Sequence, residues 1–270
     1  MTDHPGTFPF GCPSTERPPR KPAEGAATAF VLGVYPSALH VRWNLPTHLA
    51  AASGKPIGAL AVDVEPVVFW DGTDASDKIA KWVDDRGLSD QGEFGTFGNA
   101  SGNGSSGISV VKAALKPLKI DSKAVWFTDA LPWYFVKDDA DGQAKAQALY
   151  NKVAVELGRQ PSDLPTRPSV AQLVEEAVTT RRGALRAELL ESEAPLVITL
   201  GEEARLVAAG IADTVDGPPA NELAIDLSDY GRAGSLTIDG TAVAWRALKH
   251  PGQHHPDWVN KHESWMTNPS

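Results

Sequence analysis

Three short segments of this chain place chemically able residues directly after apolar runs. Leu248-Lys249-His250-Pro251-Gly252 closes the last such run. A histidine there, followed by the fixed φ of proline, can aim its imidazole into a site as a donor or general acid–base. A solvent-facing loop histidine is the plain alternative. Thr128-Asp129-Ala130-Leu131-Pro132 puts a carboxylate after a middle run, where it either caps a helix or reads a ligand. Gly33-Val34-Tyr35-Pro36-Ser37 follows the first run. Its glycine permits a tight turn and close backbone approach, and its proline sets the chain direction. Taken singly, that segment also reads as an ordinary turn.

The elements that must position these residues follow from periodicity. Thr28 to Leu32, Ala59 to Val64, Ala124 to Thr128 and Pro195 to Leu200 are short, β-prone apolar runs and predict strands. Leu236 to Ile238 and Ala242 to Leu248 flank Asp239-Gly240, a hairpin signal. Helical spacing covers Asp74 to Asp85, Ile108 to Leu118 as far as Pro117, Asp141 to Leu157, and Glu202 to Ala209. Ser169 can cap a long helix running to about Ser192, and a short helix follows Pro256. Phe94 to Gly107 is a glycine- and serine-rich loop. Alternating strands and helices predict a parallel sheet covered on both faces, with its ligand site beyond the carboxyl ends of the strands. Residues 1–27, rich in proline, glycine and charge, predict an extended arm, and 28–270 a single domain.

In this order, the three segments resemble the motifs of the uracil-DNA glycosylase superfamily: a Gly-x-Asp/Asn/Ala-Pro turn, a base-reading Asn segment and a His-Pro turn. Pro195 to Ala204 is similar to the superfamily's penultimate strand and its Leu-Gly-x-x-Ala turn, and Pro256-Asp257-Trp258 through Trp265 to its closing helix. The resemblance spans residues 28 to 265. It implies a three-layer α/β/α sandwich around a central, mainly parallel four-stranded sheet. It implies hydrolysis of the N-glycosidic bond of a flipped-out base, without cofactor, metal or iron–sulfur cluster, by a monomer acting on phage or genomic DNA. His250 would donate to the departing base oxygen as charge develops there. Phe69, or alternatively Trp70, would stack on the base, and Asp129 takes the place of the base-reading Asn. Asn103, Ser105, Ser106, Arg167 and Gly252 are candidates for the DNA backbone.

The departures from the pattern shape the expected substrate. Tyr35 stands where many members carry the water-positioning acid or amide, and is assigned to the base pocket. Glu65 is the candidate replacement, ahead of Asp63 and Asp71. An ionised Asp129 only accepts hydrogen bonds, which suits the exocyclic amine of cytosine; a protonated Asp129 still suits uracil. Ser37 stands where one branch of the superfamily has a tyrosine that blocks space beside carbon 5 of the pyrimidine. Together these predict a 5-substituted cytosine, such as the hydroxymethylated or glucosylated forms found in phage DNA. Uracil repair and a non-catalytic DNA-binding relative are the alternatives.

Bulk properties bound these readings. The 270 residues suffice for one sizeable core. The formal net charge of −9 counts against a nucleic-acid partner unless basic groups are local, as Arg42, Lys137, Arg167, Arg181, Arg182, Lys249 and Lys261 would have to be. The single cysteine, Cys12, rules out an internal disulfide, and the absence of an apolar span or leader pattern predicts a cytoplasmic protein. A metal site from His250, His254, His255 and Asp257 lacks a recognised ligand spacing. A nucleotide site in the Gly-Ser loop lacks the phosphate-loop lysine.

Overall fold

A computed structural model describes residues 6–46, 48–49, 56–88, 93–138, 142–217, 230–252 and 254–269. The main sheet has six strands in the spatial order β7-β3-β8-β11-β10-β9. They are β3 (Ala29–Gly33), β7 (Val125–Asp129), β8 (Leu196–Leu200), β9 (Thr214–Asp216), β10 (Gly234–Ile238) and β11 (Thr241–Leu248). The strands β7, β3, β8 and β11 are mutually parallel. The β10–β11 hairpin turns at Asp239-Gly240, as its turn residues predict; β10, and β9 beyond it, add two antiparallel strands to the four parallel ones. Asp239 takes φ 49° and Gly240 φ 76°, the positive values a tight hairpin turn requires.

Both faces of the sheet are buried, which is why its strands are nearly continuous apolar runs. Phe30, Leu32, Trp126, Val197 and Trp245 face one core with α4 (Val170–Thr180), α5 (Arg182–Ser192) and α6 (Glu202–Ile211). Ala29, Val31, Phe127, Ile198 and Leu248 face the other. That second core is completed by α2 (Ser105–Val110), the π-type turn Val111–Leu115 that continues it, and α7 (Pro256–Thr267). The long helix expected after Ser169 is two helices. Ser169 does close a capping box with Gln172, but Arg181 leaves helical geometry at φ −112°, ψ −5°.

The strand over Ala59 to Val64 does not join the main sheet. As β5 (Ile57–Val64) it pairs antiparallel with β4 (Ala38–Asn44), which in turn pairs with β6 (Thr96–Asn99). This second sheet packs Leu39, Val41, Trp43, Leu60 and Val62 against α1 (Ala75–Asp85) and α3 (Gln143–Glu156). The expected helix start at Asp141 lies outside the described residues.

The arm is held through its backbone. Its short strands β1 (Thr7–Phe8) and β2 (Cys12–Pro13) pair with each other. Arg20 exchanges both backbone hydrogen bonds with Phe127, at 2.8 and 2.9 Å, and so covers the outer edge of β7. Its guanidinium lies 4.0 Å from the centre of the Phe127 ring. No helix among the described residues is long and apolar enough to cross a membrane.

Candidate active site

Because β7, β3, β8 and β11 run parallel, their carboxyl ends share one edge of the sheet. The chain leaves β3 toward β7 and leaves β8 toward β11, so the β3–β8 junction is a topological switch point, where α/β sheets open a crevice. A cavity of about 610 Å³ lies at this edge. Its wall includes Gly33, Tyr35, Ser37, Glu65, Phe69, Asp129, Glu203 and His250.

Gly33 and Asp129 are register partners at the ends of β3 and β7. A Cβ on Gly33 would overlap Asp129 Oδ1 and lie 2.8 Å from Phe69 Cζ. The missing side chain therefore lets the acid and the ring close on the same spot. Phe69 adopts φ 54°, an uncommon conformation for a bulky residue, and sits against Phe127 with ring centroids 5.5 Å apart. Arg20 Nη1 donates to the Phe69 carbonyl at 3.3 Å, so the arm reaches the strained turn.

Glu65 arrives from the second sheet rather than from the main one. The pairing of Ala38 with Val64 sets it beside the first motif. Its N–H donates to the Ser37 carbonyl at 3.1 Å, and its Oε1 accepts from Ser37 N–H at 2.9 Å. Oε2 accepts from Trp70 N–H at 3.3 Å. The side chain is 4% exposed, and burial raises its pKa from 4.5 to about 7 against the opposing pull of these N–H donors. Asp129, 6% exposed, has no such donors among the described residues. Burial first, then the negative charges of Glu65 and Glu188, hold its pKa well above the ordinary carboxylate range. The environments thus divide the two acids: backbone N–H donors favour the carboxylate of Glu65, and no such donor offsets the burial of Asp129.

His250 follows β11, and its Nδ1 accepts from Gly252 N–H at 3.0 Å. A neutral ring must then carry its proton on Nε2, as a donor. Burial, with Lys137 nearby, lowers the pKa of His250 to about 4, so the ring is neutral at physiological pH. Behind it, Tyr230 Oη accepts from Lys249 N–H at 2.8 Å and lies 2.6 Å from His262 Nδ1, which ties the histidine loop to α7. Arg167, also in the cavity lining, is ion-paired with Glu203 in the first turn of α6, and its guanidinium lies 5.9 Å from the centre of the Tyr35 ring.

The structure brings together His250, Glu65, Asp129, Phe69, Tyr35, Ser37, Ser106, Arg167 and Gly252. It places others elsewhere. Trp70 does not line the cavity: its indole packs in the second-sheet core and donates to Asp74 Oδ1 at 2.8 Å. Asn103 is not presented to a phosphate, since its amide clamps His40 N–H and carbonyl at 2.9 and 2.8 Å. Ser105 opens α2 and does not line the cavity. The loop's glycines serve close packing, because a Cβ on Gly104 or Gly107 would run into the backbone of Phe69 to Gly72. The N–H of Gly252 is engaged by His250, and Arg167 is neutralised by Glu203. Asp71 closes a local turn with Thr73, and neither it nor Asp63 lines the cavity.

Sequence reasoning missed Glu203, Gln143 and the Tyr230 bridge, and left Lys137 among the surface bases. Only the Leu-Gly-x-x-Ala turn pointed near Glu203. Among the described residues, no group of three or more His, Cys, Asp or Glu side chains is placed to hold a metal ion. No family model matches the sequence, and no curated protein matches it significantly.

Proposed function

We propose that this protein is a DNA glycosylase of uracil-DNA glycosylase type, with a three-layer core around the four parallel strands, acting on a flipped-out, 5-substituted pyrimidine. The observation that carries this reading is the convergence on one cavity of His250 from the loop after β11, Glu65 and Phe69 from the loop between β5 and α1, and Asp129 from the end of β7. The base stacks on Phe69 while Asp129 meets its Watson–Crick edge. As the bond between C1′ and the base nitrogen lengthens, negative charge grows on the base oxygen and positive charge on the sugar. The Nε2–H of His250 meets the first, and ionised Glu65 meets the second and takes a proton from the attacking water. The products are the free base and an abasic site. Ser37 leaves room beside carbon 5, which favours a 5-substituted cytosine. Uracil stays the second reading, because a donor-starved, neutral Asp129 can pair with N3–H and O4 of uracil.

The test is incubation with oligonucleotides bearing uracil, cytosine, 5-hydroxymethylcytosine or its glucosylated form, with free base measured by mass spectrometry. Release of at least one base is expected, and His250→Ala should slow it about 100- to 1,000-fold. Release of none rejects the glycosylase reading.

A further inference from the structure

We infer that Asp129 reads the base as a neutral carboxylic acid whose one proton can sit on either oxygen, so that it accepts both 4-amino and 4-oxo pyrimidines. This inference rests on the glycosylase reading and concerns what the same site selects. Asp129 is 94% buried, lines the cavity, and has no hydrogen-bond partner for its carboxyl among the described residues. Its neighbour Gly33 gives it no side chain to lean on, and the Phe69 ring closes the far side. The charges that act on it, Glu65 from the loop after β5 and Glu188 from α5, are both negative and favour the protonated form. Among the other cavity groups, His250 is neutral and Arg167 is paired with Glu203, while Lys137, which lines the wall, is not among the charges that act on Asp129.

The chemistry then follows from counting donors and acceptors. Cytosine shows an acceptor at N3 and a donor at N4; uracil shows a donor at N3 and an acceptor at O4. A carboxylic acid carries one donor and one acceptor side by side. With the proton on the oxygen facing N3 it matches cytosine; with the proton on the oxygen facing C4 it matches uracil. No heavy atom moves between the two states. A carboxylate makes only one of the two bonds to either base and is repelled at the other position. An amide must turn over to change partners. Discrimination at this site therefore falls on carbon 5 and on the ease of flipping, not on the group at C4.

The experiment uses matched oligonucleotides that differ only at C4, 5-hydroxymethylcytosine against 5-hydroxymethyluracil and cytosine against uracil, with free base quantified across about pH 5 to 9. In parallel, the carboxyl carbon of Asp129 is followed by NMR over the same range, assigned with Asp129→Asn. Within at least one pair, both members should be released at rates within about tenfold of each other, less than the discrimination a mismatched bidentate pair imposes. Both rates should fall as the Asp129 resonance shifts to the ionised form at high pH. Asp129→Asn should lose that pH dependence and favour one member by about tenfold or more. Release of only one member of each pair, or an Asp129 ionised at neutral pH, overturns the inference and leaves the glycosylase reading standing. Release of no base by the wild-type protein overturns both.

Discussion

At the scale of single residues, the site depends as much on an absent side chain as on those present. Gly33 keeps the space that Asp129 and Phe69 share. Gly33→Ala should fold, with overpacking costing about 1–3 kcal/mol, while base release falls by more than tenfold because the acid and ring are displaced. Urea unfolding and single-turnover assays separate the two effects. Glu65 offers a prediction in pH. Its pKa of about 7 means that the carboxylate form grows as pH rises through neutrality. The rate should climb on that limb, and Glu65→Gln should both flatten the limb and lower the maximal rate by about 100-fold or more. A limb that persists in the variant assigns it to another group.

At the scale of elements, the histidine loop is held from behind. Tyr230 Oη accepts the Lys249 N–H and bridges to His262 on α7. Tyr230→Phe leaves that N–H without its acceptor, at a cost of about 1–3 kcal/mol in urea unfolding. His250 lies one residue further along, so the same change should lower kcat by about tenfold while KM moves little. Alternation had already marked the elements that end at the site: five-residue apolar runs between glycines and polar residues read as buried strands whatever their neighbours. What it could not supply was partnership. The run ending at Val64 looks like the others, yet β5 pairs with β4 and not with the main sheet. The strand β4 itself was legible, since Leu39, Val41 and Trp43 alternate with His40 and Arg42, but Pro36 and Pro46 make the stretch look like a loop.

At the scale of the whole molecule, buried ionisable groups of opposite tendency set the pH range of stability. Glu65 and Asp129 have raised pKa values, so their contribution is complete below their unfolded values and is lost as pH rises through the folded ones. For Glu65, a rise from 4.5 to about 7 corresponds to roughly 3 kcal/mol. His40, His250 and His262 are lowered from 6.5 to about 4 by burial, so their contribution is present above 6.5 and is lost as pH falls toward 4. Thermal unfolding should therefore give its highest Tm near about pH 6, with decline on both sides. A Tm that rises steadily from neutral to alkaline pH would contradict the buried, protonated state of Asp129. The net charge of −9 also bears on DNA binding, since Arg167 is already paired in the cavity. Phosphate contacts then fall to Lys137 at the cavity wall and to basic side chains outside it, and binding should weaken only modestly with added salt.

Residue types and local periodicity determined by themselves that the chain forms an alternating α/β sheet, that the β10–β11 hairpin turns at Asp239-Gly240, and that Gly33, Asp129 and His250 stand at or just beyond strand ends. These are properties of neighbours in the chain, carried by backbone preference and by which side chains avoid water. The order β7-β3-β8-β11, the delivery of Glu65 from a second sheet, and the state of Asp129 belong to the tertiary structure. A carboxyl group is written in the sequence, but its charge depends on which donors the folded chain brings within reach, and around Asp129 the fold brings Glu65 and the Arg181-paired Glu188 and, among the described residues, no hydrogen-bond donor.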